Sequence, residues 1–224
     1  MGTVKIDFSR GFSCRDNYFG QPAISLGNST AALCIGDVAG KGLPAALVMS
    51  NMQASVRGLA PRISSPAEMC RELNRLVLKN TRSERLTTFF YGILDSTRGV
   101  LRYCNAGHIP PFLVRENGSV QRLSEGGIVF GVSSDRDYEE AEAAFGPNDR
   151  LVLLTDGITE AMNAQGEEFG DGRIIDLLRR NRNLAAADLQ RELLQAVDLF
   201  AAEGLRDDAT LVTVSLKSGI LHTS

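Results

Sequence analysis

The sequence contains few of the residues on which several common chemistries depend. Its 224 residues include two histidines and four cysteines, and none of the cysteines forms a Cys-x-x-Cys pair: Cys14, Cys34, Cys70 and Cys104. Neither a zinc site nor a dithiol redox centre is therefore predicted. No apolar run reaches the roughly 18 to 20 residues that span a bilayer, so we expect no membrane segment.

A secretion signal is also missing, and the sequence begins directly with the β-like stretch MGTVKIDF. With 43% hydrophobic residues, the chain is long enough for one sizeable core that needs no disulfide bonds. We therefore expect a cytoplasmic protein with reduced, mostly buried thiols and one domain, residues 1–224. That domain is either a stand-alone protein or a piece excised from a longer multidomain chain.

The charge distribution bears on possible partners. The formal net charge is −3, the sequence pI is about 5.5, and the basic residues are scattered along the chain. Because a nucleic-acid-binding surface needs a basic patch or stripe, nucleic acid is not an expected partner.

Apolar residues at helical spacing predict four helices, at 43–59, from 65 onwards, at about 171–181 and at about 185–203. The predicted core-facing stripe of the first helix comprises Leu43, Leu47, Val48, Met52 and Val56. The second helix has a serine cap at Ser65, proline at its first position and Glu68 in its first turn.

Runs of β-forming residues between turn residues predict eight strands, at 22–27, 30–38, 87–95, 99–105, 111–115, 138–145, 150–154 and 209–216. We expect the first two to form a hairpin, the next three to form an antiparallel meander, and 138–145 to pair with 150–154 across a turn at 146–149. Strands in hairpins and helices in pairs favour an α+β domain in which two sheets each carry a helix pair on the outer face.

Four aspartates lie at the ends of apolar runs, far apart in the sequence: Asp16, Asp37, Asp156 and Asp207. A fold can bring such ends to one edge of a sheet. Clustered carboxylates repel one another, and a divalent cation removes that cost. Oxygen ligands favour Mg²⁺ or Mn²⁺ over zinc, and a pair of such ions is suited to attack on phosphate esters by water.

The most specific segment is GDVAGKG, residues 36–42. A nucleotide-binding P-loop would need glycine at Ile35 and serine or threonine at Gly42, so that interpretation fails. Glycines on both sides of Asp37 instead let the backbone bend close to an ion, and the Val38 carbonyl can supply a further oxygen.

Two other acidic segments are less specific when taken singly. Asp156 lies in LLTDGITE, and an Asp-Gly pair after a strand is more often a turn than a ligand. Asp207 lies in RDDAT, which by itself is more often a solvated loop. Their combination with Asp37 is what favours a metal site.

Taken in order, these segments resemble the bacterial PP2C-type (PPM) serine/threonine phosphatases of the SpoIIE and RsbU group. That group has a Gly-Asp-Val turn with Gly-Lys/His-Gly, a strand ending in Asn-Ala-Gly-His, a Thr-Asp-Gly-Ile/Val-Thr-Glu turn and a final Asp-Asp-x-Thr strand. The chain has GDVAGKG, CNAGHIPP, LLTDGITEA and RDDATLVTV. The resemblance extends from about residue 10 to 217 and implies an αββα sandwich of two mainly antiparallel sheets flanked by helix pairs.

The resemblance also implies a centre of two Mn²⁺ or Mg²⁺ ions. By motif position, Asp37 would bridge both ions and contact the attacking water, and the Val38 carbonyl would bind one of them. Asp156 and Asp207 would hold the other ion. No side-chain nucleophile is then needed, because water displaces the seryl or threonyl oxygen.

Four further residues take subsidiary places in the implied site. Asp16 is the remaining ligand, although Cys-Arg-Asp stands where the family has Gly-Gly-Asp. Asp208 supports Asp207, and Glu160 is a candidate ligand for a third ion. His108 is either a general acid for the leaving alkoxide or, as is commoner, a loop histidine hydrogen-bonded to backbone.

The expected function is therefore metal-dependent hydrolysis of phosphoserine or phosphothreonine on a bacterial signalling protein. The resemblance implies a phosphorylated anti-sigma-factor antagonist of the STAS type as substrate, with a sensor domain or activator as regulator. Two alternatives remain open: a non-catalytic module that binds a partner, and a hydrolase of small phosphoesters.

Overall fold

The computed structural model shows an α+β chain. It describes residues 4–13, 23–27, 29–40, 42–80, 86–201, 204 and 209–218, with 4–13, 80, 217 and 218 described by their backbone alone. The strands are β1 (Val4–Ser13), β2 (Ala23–Gly27), β3 (Thr30–Val38), β4 (Thr87–Asp95), β5 (Val100–Ala106), β6 (Phe112–Val114), β7 (Val120–Arg122), β8 (Gly126–Gly127), β9 (Ala141–Ala144), β10 (Arg150–Leu154) and β11 (Ala209–Ser218). The helices are α1 (Leu43–Leu59), α2 (Pro66–Asn80), α3 (Asp156–Thr159), α4 (Gly170–Arg180) and α5 (Ala186–Phe200).

The first of two compact units comprises Met1–Arg15, Pro111–Leu123 and Gly146–Ser224. Its described strands lie in the order β1-β11-β10-β6-β7, and every pair is antiparallel. Helix α5 packs on β1 and β11, and α4 packs on α5 and β6. The face of α5 that is buried carries Leu189, Leu193 and Val197 at helical spacing.

The second unit comprises Asp16–Pro110 and Ser124–Phe145. Its strands lie in the order β2-β3-β4-β5-β8, with β9 also on β5, and the β5–β8 pair is parallel whereas the other pairs are antiparallel. Helix α1 packs on β3, and α2 packs on β4 and β5. Aromatic rings fill the core beneath them: the Phe130 ring centroid lies 5.6 Å from that of Phe89 and 5.7 Å from that of Tyr138.

The predicted start of α2 is confirmed. The Ser65 Oγ accepts a hydrogen bond from the Glu68 amide at 3.2 Å, and the Glu140 carboxylate accepts one from the Ala67 amide at 3.3 Å. These side chains satisfy two N–H groups that have no partner within the helix, one through the local Ser65 cap and one through Glu140, which is distant in the sequence.

The predicted buried stripe of α1 is wrong in its first two members. Leu43 is 72% exposed and Leu47 is 56% exposed. The residues that α1 buries are Ala45, Met49, Met52 and Val56. Both sets have helical spacing, so periodicity does not choose between them, and packing on β3 selects the second.

Two predicted strand pairings are also wrong, although the β2–β3 hairpin and the turn at 146–149 are confirmed. Strand β6 leaves the expected meander and pairs with β10. Pro110 and Pro111 have no N–H groups and interrupt the ladder after β5. Strands β9 and β10 flank the confirmed turn, yet β9 pairs with β5 and β10 with β11. A local turn therefore did not decide which strands pair.

Three of the four thiols are buried in the second unit, as the sequence predicts, and Cys14 lies outside the described residues. Burial raises the pKa of Cys34 to about 12. Burial, together with a hydrogen bond to Cys104, also raises the pKa of Cys70. Such thiols stay protonated and behave as small core residues.

No helix in the described ranges combines the length and apolarity that crossing a membrane requires.

Candidate functional site

Asp37 lies one residue before the end of β3 and is half-buried. Cys34 and Val38 lie on the opposite face of β3 from Asp37, and both belong to the core cluster that includes residues of α1 and α2. Successive side chains of a strand point to opposite faces, so Asp37 lies on the other face of the sheet. Thr88 of β4 stands directly opposite Asp37 in the register and shares that face.

The backbone bends sharply just after Asp37. Gly40 has a φ of 99° and Gly42 a φ of 82°, values that favour glycine. The Ala39 amide donates a hydrogen bond to the Leu86 carbonyl oxygen at 2.8 Å. Val38, the last residue of β3, therefore directly follows the half-buried Asp37 and precedes two glycines at positive φ.

The Asn-Ala-Gly-His segment forms a closed turn at the end of β5. The Asn105 Oδ1 accepts a hydrogen bond from the His108 amide at 2.8 Å, and the Asn105 Nδ2 donates to the His108 carbonyl oxygen at 3.0 Å. Gly107 has a φ of 68°, and a Cβ there would lie 2.4 Å from Val129 Cγ1. The buried His108 ring places Nδ1 2.9 Å from the Thr88 Oγ1. The turn thus brings an imidazole to the threonine opposite the acidic end of β3.

In the first unit, Asp156 directly follows β10 and Thr155, and it is the first residue of the short helix α3. Thr155 ties this helix to β11: its amide donates to the Thr210 carbonyl oxygen at 3.1 Å, and its Oγ1 accepts a bond from the Thr210 amide at 2.9 Å. Asp156 is half-buried, and its carbonyl oxygen accepts a bond from the amide of the exposed Glu160 at 2.8 Å. Asp156 is therefore held beside the start of β11, which follows the Asp207-Asp208 pair in the sequence.

Replacing Thr155 with valine is expected to lower the free energy of unfolding by about 1–3 kcal/mol, because the Thr210 amide loses its side-chain acceptor while the volume is kept. Thr213→Val is the matched control on β11, since the Thr213 hydroxyl is buried without a hydrogen-bond partner among the described residues. Thr213→Val is expected to leave the free energy of unfolding unchanged or to raise it. Urea unfolding compares the two, and equal losses would contradict the role of the Thr155 hydroxyl.

Three predicted site residues lie outside the described residues: Asp16, Asp207 and Asp208. The structure places Asp37, Val38 and His108 at one end of the sheet of the second unit. It places Asp156 and Glu160 at α3 of the first unit.

The donor atoms of the described site residues are carboxylate and carbonyl oxygens, together with the His108 ring nitrogens. Within the part of the chain that the structure describes, no three His, Cys, Asp or Glu side chains form a ligand set. Asp37 and Asp156 are half-buried carboxylates at the points where β3 and β10 end, and no ion pair in the described ranges involves Asp156. Each of these carboxylates is an oxygen donor of the kind that a hard cation such as Mg²⁺ or Mn²⁺ prefers.

Two threonines, one beside Asp156 in the first unit and one beside Asp37 in the second, were not found from the sequence. Thr155 precedes Asp156 and has the residue type of a helix cap, but its hydroxyl bonds to β11 and not to α3. Thr88 is placed by the register between β3 and β4, and α1 and α2 separate these strands in the sequence. The alternation within TTFFYG indicates the face of the strand on which Thr88 lies, but not which residue of the neighbouring strand it opposes.

Solved structures define the class of fold. The PP2C phosphatase domain of SpoIIE from Bacillus subtilis, with a fragment of its regulatory domain, is similar over 98% of this chain and 65% of its own, with a TM-score of 0.82 and 16% identity. The catalytic domain of the serine/threonine phosphatase PstP, in complex with 2 manganese ions, is similar over 96% of this chain and 99% of its own, with a TM-score of 0.62 and 14% identity. The fold is that of the PP2C-type phosphatases, which confirms the predicted class.

The model of the family "Stage II sporulation protein E (SpoIIE)" matches residues 27–217. The chain belongs to this family of PP2C-type phosphatases, as its ordered motifs predict. Among its relatives, phosphoserine phosphatase RsbU of Bacillus subtilis (strain 168) is 29% identical over 187 residues, which cover 83% of this chain and 55% of the relative. The chain thus spans about half the length of that relative.

Proposed function

We propose that this protein is a metal-dependent protein serine/threonine phosphatase that acts on a bacterial signalling protein. The observation that carries the proposal is the half-buried Asp37 carboxylate at the end of β3, followed by a turn with two glycines at positive φ. Membership of the SpoIIE family supports it. The proposal includes a cytoplasmic location and one phosphatase domain over residues 1–224.

The proposed ligands follow from the family motifs and from oxygen-donor chemistry. Asp37 would be a ligand of two ions of Mn²⁺ or Mg²⁺, and the Val38 carbonyl would bind one of them. The other carboxylate ligands would be Asp16, Asp156 and Asp207, with Asp208 in support and Glu160 as a ligand for a third ion. The half-buried state of Asp37 and Asp156 supports these roles, because a carboxylate that is partly removed from water gains most from a cation.

The bound cations would neutralise the phosphate charge and activate water for attack at phosphorus. The protein's own residues then have the task of orientation. Gly40 and Gly42, at positive φ, follow Asp37 closely in the sequence, and the Thr155–Thr210 bonds hold the start of α3. Such positioning is a large part of phosphoryl-transfer catalysis.

The proposed substrate is a phosphorylated anti-sigma-factor antagonist of the STAS type, within a partner-switching pathway and under the control of a sensor domain or activator. The relative RsbU carries the name phosphoserine phosphatase, which supports phosphoserine as the substrate group. The net charge of −3 and the scattered basic residues do not favour nucleic acid, and no membrane partner is proposed.

The test compares three substrates in Mn²⁺: a phosphoserine-bearing STAS domain, a phosphoserine peptide and p-nitrophenyl phosphate. We expect the highest kcat/KM on the STAS domain, because remote contacts with a protein substrate add binding energy in the transition state. Faster turnover of p-nitrophenyl phosphate than of both phosphoserine substrates would indicate a small-phosphoester hydrolase instead. A folded chain that hydrolyses none of the three would contradict the proposal and favour a binding module.

A further inference from the structure

We propose that Thr88 and His108 are positioning residues that orient the Asp37 carboxylate, with His108 acting through the Thr88 hydroxyl. The inference rests on the proposed function, since it concerns how Asp37 is prepared for a divalent cation. It deepens that function by assigning a role to the Asn-Ala-Gly-His turn, whose histidine the sequence leaves between a general acid and a loop residue.

The first step is the position of Thr88. It is the direct cross-strand partner of Asp37 in the antiparallel β3–β4 pair, so both side chains stand on one face of the sheet. Directly opposed residues have Cβ atoms about 4.5–5.5 Å apart, which lets a threonine hydroxyl reach an aspartate oxygen. Both residues are half-buried, so a bond between them is partly shielded from water.

The second step is the position of His108. Asn105 holds the His108 backbone through two reciprocal hydrogen bonds of 2.8 and 3.0 Å. The Asn105 backbone amide donates a hydrogen bond to the Glu125 carbonyl oxygen at 2.9 Å. Gly107 has no room for a side chain beside Val129. The backbone at His108 is therefore held in place, and its buried ring has Nδ1 2.9 Å from the Thr88 Oγ1.

The third step is the direction of the hydrogen bonds. When the His108 Nδ1 carries its hydrogen, the ring donates to the Thr88 Oγ1, and the Thr88 hydroxyl hydrogen is directed to another acceptor. The carboxylate of Asp37, opposite Thr88 on the same face, is the charged acceptor that this geometry offers. We assign this tautomer, which gives a relay from His108 to Thr88 to Asp37.

The consequence concerns metal affinity. A carboxylate ligand is oriented by its own hydrogen bonds, and loss of such an outer partner costs about 10- to 100-fold in metal affinity or activity. His108 is 5% exposed and bonded to Thr88, a setting that suits orientation. The prediction therefore concerns binding of the cation as well as turnover.

The experiment measures Mn²⁺ binding to the purified protein by electron paramagnetic resonance of free Mn²⁺, alongside thermal unfolding of the metal-free protein. Thr88→Val is expected to weaken Mn²⁺ binding about 10- to 100-fold, and Thr88→Ser to restore it because it keeps the hydroxyl. Thr87→Val is the matched control: it is the same substitution on the adjacent residue, whose side chain faces the core and whose buried hydroxyl has no partner among the described residues. That control is expected to bind Mn²⁺ as the unchanged protein does.

His108 is tested with two substitutions. His108→Asn keeps an amide nitrogen near the Nδ1 position, because both atoms are attached to Cγ, and it is expected to bind Mn²⁺ nearly normally. His108→Ala removes the donor and is expected to weaken binding as Thr88→Val does. Both metal-free proteins are compared by thermal unfolding, so that a loss of folding is not taken for a loss of orientation.

The outcomes separate this inference from the proposed function. Normal Mn²⁺ affinity in a folded Thr88→Val, or equal losses in Thr88→Val and Thr88→Ser, would overturn the positioning role even if the unchanged protein is an active phosphatase. If the unchanged protein binds Mn²⁺ but hydrolyses no phosphoserine substrate, the proposed function fails while the binding comparison still decides the positioning role. A chain that binds no Mn²⁺ at all contradicts both.

Discussion

Asp37→Asn is expected to lower phosphoserine hydrolysis by about a thousandfold or more while the protein remains folded. Metal ions supply several kcal/mol of transition-state stabilisation, and each 1.4 kcal/mol corresponds to about a tenfold change in rate. Asparagine keeps the size of aspartate but removes the negative charge, so a bridging position would lose its affinity for the cations. Asp37 is half-buried near the end of a strand, and the β3–β4 pairing consists of backbone hydrogen bonds, so we expect the substitution to leave that pairing unchanged.

The matched control for this prediction is Asp137→Asn, which removes one negative charge from an exposed loop residue of the same unit. It is expected to retain full activity. The measurements are kcat/KM in Mn²⁺ and circular dichroism of both variants. Near-normal turnover by Asp37→Asn would contradict the assignment of this residue, and inactivity of both variants would show that the loss is not specific to Asp37.

The second large effect is on stability. Gly107→Ala is expected to lower the free energy of unfolding by about 2–5 kcal/mol. Two costs add: the left-handed conformation at φ 68° costs about 1–2 kcal/mol for a residue with a Cβ, and the overlap with Val129 costs about 1–3 kcal/mol. The new Cβ would lie 2.4 Å from the Val129 Cγ1 and 3.0 Å from its backbone nitrogen, so rotation of one side chain does not relieve the overlap.

Gly166→Ala separates these two costs. Gly166 also has a positive φ, 77°, but a Cβ there meets no atom within 4 Å. Gly166→Ala is therefore expected to lower the free energy of unfolding by the conformational cost alone, about 1–2 kcal/mol. Urea unfolding of both variants gives the comparison, and a loss in Gly107→Ala no larger than in Gly166→Ala would contradict the close packing of the Asn-Ala-Gly-His turn.

Local signals predicted individual elements well. The α2 start follows from Ser65 and Pro66, and the β2–β3 hairpin from the turn residues between its strands, because these features depend on neighbours in the sequence. Local signals do not predict which strands pair or which face of a helix is buried. Strands β9 and β10 flank a real turn yet join different sheets, and the exposed Leu43 and Leu47 have the same spacing as the buried stripe of α1.

In the candidate site, too, local features were predicted from the sequence and features that depend on pairing were not. Asp37 and Asp156 were found because each directly follows or ends an apolar run beside glycine, a signal contained in six or seven residues of sequence. Thr88 was not found, because its relation to Asp37 depends on strand register across two intervening helices. The reciprocal bonds of Asn105 and His108 likewise require the folded turn.

The most direct test of the central claim is phosphate release from a phosphoserine peptide by the purified chain as Mn²⁺ is added and then removed with EDTA. The account predicts turnover that rises with Mn²⁺, is abolished by EDTA, and returns when Mn²⁺ or Mg²⁺ is restored. Phosphate release that is unaffected by EDTA would contradict a metal-dependent phosphatase, and so would a folded chain that binds Mn²⁺ without releasing phosphate.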